Sequence, residues 1–205
     1  MSPELDKQLC EKYPKIFVNR NASPQESCMY WGLEIGDGWY NLIDLLCEAV
    51  TYTYSTAVEI DEEDAKRLGI EGYALGGDTQ KRYFFNVKAP QVIADQVKEK
   101  FGTLRFYHHL EYDPQNLELV KSGKYPKLAE ANDRYANYID GIVHFADIAS
   151  AHFCEVSGSR GELHKRGGKG GGGWFKTLSK EVVEQEETLK GYKTTITEVK
   201  KDIIP

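Results

Sequence analysis

Long apolar runs are missing from this chain of 205 residues. No stretch approaches the roughly 20 apolar residues that a bilayer-spanning helix needs, so no membrane partner is expected. The N-terminus, MSPELDKQLCEKYPKIF, lacks the basic-then-apolar pattern of a secretory signal and is charged and amphipathic instead. The expectation is a protein that stays in the cytoplasm where it is made. Cysteine is scarce and scattered: Cys10, Cys28, Cys47 and Cys154 form no pair at metal or redox spacing. Reduced, mostly buried thiols follow from that spacing and from the absence of an export signal. A basic excess is missing too, with 26 Lys+Arg against 32 Asp+Glu and a net charge of −6. That balance argues against a general nucleic-acid binder.

What is present suits a compact fold. Aliphatic and aromatic residues make up 40% of the chain and tyrosine alone contributes 13, which excludes wholesale disorder. Charge is unevenly spread. Glu59, Asp61, Glu62, Glu63 and Asp64 form an acidic cluster, whereas Arg160 to Lys176 is basic and glycine-rich.

Periodicity and punctuation set the elements. Ser2 as cap, Pro3 in the first turn and Pro14 as a stop predict a helix from Pro3 to about Tyr13. Met29-Tyr30-Trp31 reads as a short strand. Trp39, Leu42, Ile43, Leu46 and Val50 fall on one helical face and belong to a core helix. Thr51 to Thr56 is β-prone, Asp61 caps a short helix closed by Gly69, and Gly76-Gly77-Asp78 turns into a strand from Arg82 to Val87. The spacing of Val92, Ile93, Val97 and Phe101 predicts a helix over 90–101, followed by a strand from Thr103 to Leu110. Glu111 to Pro126 reads as a loop. Leu128, Ala131, Tyr135, Tyr138, Ile142, Phe145, Ala149 and Phe153 recur at helical spacing and define the longest helix, 127–153. Gly158 to Gly173 reads as a loop, Lys180 to Leu189 as a helix, and Lys193 to Ile204 either packs as a terminal strand or hangs free.

Several of these segments, in this order, resemble a family of small phage and prophage proteins: Lys12-Tyr13-Pro14 with Phe17, Gly36-Asp37-Gly38-Trp39, Val97-Lys98-Glu99-Lys100-Phe101-Gly102, and Leu104-Arg105-Phe106-Tyr107. The resemblance implies a C-terminal Cys-Glu-x-Cys-Gly knuckle and a later Gly-Trp-x-x-Thr-Leu-Cys segment that together bind zinc. Here the frame reads Cys154-Glu155-Val156-Ser157-Gly158 and Gly173-Trp174-Phe175-Lys176-Thr177-Leu178-Ser179. Ser157 and Ser179 stand where thiolates belong, and a structural zinc site needs four ligands of thiolate or imidazole type. Cys154 is therefore read as a vestigial ligand, even with His152 or His164 nearby in sequence, and no metal or cofactor is expected. The segment 52–86 has no counterpart in the resemblance and reads as an insertion or β-rich subdomain.

Catalytic motifs are lacking. The run Arg166-Gly167-Gly168-Lys169-Gly170-Gly171-Gly172-Gly173 suggests a phosphate cradle, but no Gly-Lys-Ser/Thr closes it onto a helix, and five glycines from Gly168 to Gly173 favour a flexible basic linker. Asp140, His144 and Asp147 share one helical face, which more often carries ordinary salt bridges than a general base. His108 and His109 point to opposite faces of a strand. Arg105 and Tyr107, with Tyr30 and Trp31, form an aromatic–basic set of the kind that stacks on bases or of the kind found at protein interfaces; an ordinary sheet core and rim is the plainer reading.

The expectation is thus an α+β protein with a small mixed or antiparallel sheet packed on the long helix 127–153, in a core domain 1–153 followed by a degenerate knuckle-like region 154–205. The expected function is a non-enzymatic phage accessory protein that binds a host protein, as a counter-defence inhibitor. Its rival is a nucleic-acid module using the 160–176 arm, and a third reading is a small-molecule or nucleotide-binding protein or enzyme. Candidate binding residues are Trp39, Arg105, Tyr107, Arg160, Lys165, Arg166, Lys169 and Trp174.

Overall fold

The structure is a computed structural model that describes residues 1–52, 55–74, 79–167 and 173–190. It is α+β, with small mixed and antiparallel sheets packed against a long helix. Contacts divide the chain into two compact units. The first comprises Met1–Ala49, Ile93–His109 and the chain from Ile142 onward; the second comprises Val50–Val92 and Leu110–Gly141. The segment 52–86 lies wholly in the second.

In the first unit, helix α1 (Pro3–Lys12) opens with Pro3 and the acids Glu4 and Asp6, and closes on Lys12, as a helix dipole favours. Ser2 occupies the cap position without capping through its side chain; its N–H donates to Asp37 Oδ1 instead, at 2.6 Å. Met29-Tyr30-Trp31, expected as a strand, belongs to a 3-10 turn over Cys28–Trp31. Strand β1 (Leu33–Glu34) follows, and then helix α2 (Tyr40–Thr51), on which Ile43, Leu46, Cys47 and Val50 are buried.

The main departure from expectation is strand β5 (Gln91–Lys100), where helical spacing suggested a helix. It is the central strand of a three-stranded sheet, between β1, which runs parallel to it with Leu33 opposite Val97, and β6 (Thr103–Glu111). Over Val92–Ala94 the strand is covered on both faces, so Val92, Ile93 and Ala94 are buried in succession, Val97 is buried beyond them, and the alternation that marks a strand is lost. The deciding feature is the Phe101-Gly102 connection, in which both residues have positive φ (56° and 81°), the conformation that folds one strand back on the next.

The second unit pairs β2 (Thr56–Ile60) and β3 (Tyr73–Ala74) with the two edges of β4 (Lys81–Val87), all antiparallel, with Val58 opposite Phe85 and Ile60 opposite Tyr83. Helix α3 (Glu62–Leu68) is capped by Asp61, whose Oδ1 accepts from the N–H of Asp64 at 2.8 Å, and ends at Gly69 in the left-handed conformation. The expected loop over 111–126 contains a helix, α4 (Pro114–Lys121), because Asp113 caps it through Gln115 N–H and Pro114 starts it. Val58, Ile60, Phe85, Val87, Leu119, Leu128, Ala131 and Tyr135 make the core, each large side chain contributing about 1.5–3 kcal/mol when fully covered. Asn116 and Asn132 are buried and satisfy each other amide to amide. Asp64 is held by Arg67 at 2.6 Å, Tyr125 at 2.7 Å and Lys124 at 3.2 Å.

The long helix, α5 (Pro126–Ser150), is three residues shorter at its C-terminus than its periodicity suggested. Its buried positions are Leu128, Ala131, Asn132, Tyr135, Ile139, Ala146 and Ser150, while Tyr138 and Phe145, which share the apolar spacing, are exposed. After it come strands β7 (Glu162–Gly167) and β8 (Gly173–Leu178), a hairpin where a loop was expected up to Gly173, and helix α6 (Lys180–Lys190). The residues from 193 to 204 lie outside the described part of the chain.

Candidate functional site

All the segments that carry the family resemblance fold into the first unit, and four of them close on one another. Gly36-Asp37-Gly38-Trp39 clasps the knuckle. Gly38 N–H donates to Glu155 O at 2.8 Å, Gly36 N–H to Glu155 Oε1 at 3.0 Å, and the Trp39 indole N–H to Phe153 O at 2.8 Å. A Cβ on Gly36 would lie 2.1 Å from Glu155 O, and one on Gly38 2.3 Å from Cys154 O, so close backbone approach requires glycine at both. Lys176 of β8 then joins Glu155 at 2.7 Å to Glu99 of β5 at 3.2 Å, two carboxylates that are almost wholly covered.

The segment expected as a degenerate knuckle folds into a tight turn. Gly158 has φ +75°, its N–H donates to Cys154 O, and Cys154 N–H donates to Ser159 O. Ser157 N–H points at Cys154 Sγ from 3.4 Å. Where a metal ion would sit, hydroxyls meet one another: Ser157 Oγ lies 2.8 Å from Ser159 Oγ and 3.5 Å from Ser179 Oγ. Val182, in the first turn of α6, donates its N–H to Ser179 Oγ, and its side chain packs with Cys154, Leu178 and Val183. One thiol, hydroxyls and a valine are not a zinc donor set. Among the described residues, no group of three or more His, Cys, Asp or Glu side chains could hold a metal ion. Burial opposes ionisation of Cys154, but hydrogen bonds from Ser157, Ser179 and Val156 outweigh it and hold the thiol below its ordinary value. Val182 was not singled out from sequence; the available signal was its place three residues after Ser179 at a helix start, the spacing that puts two ligands on one face.

The second feature is a solvent face beside the knuckle. At the β5–β6 tip Phe101 is 65% exposed and sits edge-on to Phe175 of β8, with ring centroids 6.4 Å apart. The tip is anchored underneath: Thr177 Oγ1 donates to Gly102 O at 2.6 Å, and Gly102 N–H donates to Glu99 Oε1 at 2.6 Å. Three ammonium groups lie over three rings, Lys98 over Tyr107 (5.5 Å), Lys100 over Phe101 (5.6 Å) and Lys165 over Phe175 (5.9 Å). The nearest acid by register is Glu34, paired with Lys98 across β1 and β5, and it accepts from Gln96.

The expected binding residues are distributed as follows. Tyr107 and Lys165 belong to this face. Trp174 is 78% exposed and adjoins Phe175, on the opposite side of the strand. Trp39 is fully buried and serves the clasp, so it lines no open pocket, because its indole is consumed in holding Phe153. Arg105 is tied to Asp147 at 2.6 Å and to Thr103, which is an ordinary salt bridge between a strand and α5. Arg160 is exposed and lines a separate cleft of about 490 Å³ with Glu162, His164 and Lys180. Lys169 and the Arg166 side chain lie outside the described residues. His109 pairs with Asp95 at 2.8 Å, and Trp31 meets Tyr30 edge-on. Sequence reading passed over Lys98, Lys100, Phe101 and Phe175, because a helix over 90–101 would not place them together.

Compared with known protein families, with characterised proteins and with solved structures, the chain gives no match. No helix among the described residues is long and apolar enough to cross a membrane.

Proposed function

We propose that this protein works by occupancy, not turnover: it is a binding protein whose working surface is the lysine–aromatic face formed by Lys98, Lys100, Phe101, Tyr107, Lys165 and Phe175. The observation that carries the reading is Phe101. A left-handed backbone costs a residue with a side chain about 1–2 kcal/mol, and a large ring there normally recovers that cost by burial. Phe101 has φ +56° and leaves its ring 65% exposed. Such strain without a packing return is what a presented contact residue looks like.

The clasp and the knuckle explain how the face is kept rigid without metal. Lys176 and Thr177 fix β8 to the β5–β6 tip, and the Ser157–Ser159–Ser179 hydroxyls with Val182 fill the knuckle. The resemblance to phage and prophage proteins supports the role of an accessory protein that occupies a host macromolecule, with counter-defence inhibition as the biological form. The test is a photo-crosslinking phenylalanine analogue placed at position 101 of the full chain in host cells, with position 73, an exposed tyrosine of the second unit, as control. Adducts at 101 and none at 73 are expected. Equal yields, or none at 101, would overturn the assignment.

A further inference from the structure

We propose that the occupant of this face is single-stranded nucleic acid, an inference that rests on the face being the working surface. Tyr107, Phe101 and Phe175 each carry an ammonium group at 5.5–5.9 Å from the ring centroid. Lys98 and Lys100 are two residues apart on β5, hence about 6.8 Å apart along the strand, a separation suited to successive phosphates of an extended strand. Protein interfaces are depleted in lysine, so three lysines set among the contact rings fit a polyanion better than a protein surface. Rings that stack need unpaired bases, which directs the reading to single strands and away from duplex. Stacking uses the π-face that every base presents, so recognition tolerates sequence.

Charge sets the strength. The chain is acidic overall at −6, and Glu34 stands in register with Lys98. Affinity therefore depends on the three local lysines. Each phosphate neutralised on a single strand contributes roughly 0.7 to the salt slope, so three give a slope of about 2, or about a 20-fold loss between 50 and 200 mM salt.

The experiment is fluorescence anisotropy of labelled oligothymidylate and oligouridylate against the full chain, with a duplex of equal length as competitor. Tighter binding of the single strands is expected. Phe101→Asn should weaken it at least about fivefold, the low end for loss of one stacked base. Each of Lys98→Gln, Lys100→Gln and Lys165→Gln should lower the salt slope by roughly 0.7, while Lys66→Gln on the second unit leaves it unchanged. No single-strand binding by the wild type at 50 mM salt overturns the proposal, as does preference for duplex or binding indifferent to Phe101→Asn. If the oligonucleotides fail while the analogue at position 101 crosslinks a protein, the nucleic-acid assignment falls and the face survives. If position 101 crosslinks nothing, both fall.

Discussion

Replacing Phe101 by asparagine removes an aromatic ring from a sheet, and such changes usually destabilise. Here the terms nearly cancel. The ring is 65% exposed, so about a third of its surface is covered. A third of the roughly 1.5–3 kcal/mol for full burial is about 0.5–1 kcal/mol. The edge-on contact with Phe175 is at the far end of the useful range at 6.4 Å, and it adds about 0.5 kcal/mol. Against this loss stands the relief of a bulky residue in left-handed backbone, about 1–2 kcal/mol, since Asn-Gly is the favoured pair for a two-residue hairpin turn. Phe101→Asn should therefore unfold in urea within about 1 kcal/mol of the wild type. Phe106→Ala, at a buried position of the next strand, should lose about 3–5 kcal/mol. A loss above about 2 kcal/mol at position 101 would show that the ring is structural, and the argument from strain would fail.

Three other predictions concern the frame. Lys176→Met leaves Glu99 and Glu155 without their shared cation and should destabilise the first unit by about 3–5 kcal/mol, read as a lower urea midpoint. Asp64 is held below the ordinary carboxylate range chiefly by Arg67 and then by Tyr125. A depressed carboxylate stabilises above its unfolded pKa of about 3.9 and loses that contribution as pH falls through the folded value. The deficit of Asp64→Asn should accordingly be constant from about pH 7 to 5 and shrink below about pH 4, in urea melts that follow the second unit. Ser157→Cys, Ser179→Cys and Val182→Cys combined supply three thiolates around Cys154. The triple variant should bind Co²⁺ with tetrahedral d–d absorption and melt higher with zinc, whereas the wild type should show neither; an optically silent variant would mean that the knuckle has lost the metal geometry.

Much of the fold could be read from the chain because local chemistry decides it. Asp61 and Gly69 delimit α3, Pro3 starts α1, and the apolar faces of α2 and α5 announce helices. The failures are equally physical. Over 91–100 helix formers such as Ala94, Glu99 and Lys100 mix with the β-branched Val92, Ile93 and Val97, and all the apolar residues are buried, so the pairing of β5 between two neighbours decides for a strand. The expected end of α5 runs too far because Phe153 continues the apolar spacing of Ala149 beyond Ser150, where the helix stops. Of the site, Cys154, Ser157 and Ser179 stand out in the sequence, and the structure brings them together, with Ser157 N–H 3.4 Å from Cys154 Sγ and Ser157 Oγ 3.5 Å from Ser179 Oγ. The lysine–aromatic face is not legible, because it is assembled from two hairpins about 70 residues apart in sequence, in which β5 reads as a helix and the chain up to Gly173 as a loop.

The face itself is tested most directly by amide chemical-shift mapping of the isotopically labelled full chain during titration with oligothymidylate. The account predicts perturbations concentrated at Lys98, Lys100 to Gly102, Tyr107, Lys165 and Trp174 to Phe175, weakening with added salt. Shifts confined to the second unit, or an unchanged spectrum at low salt, would contradict it.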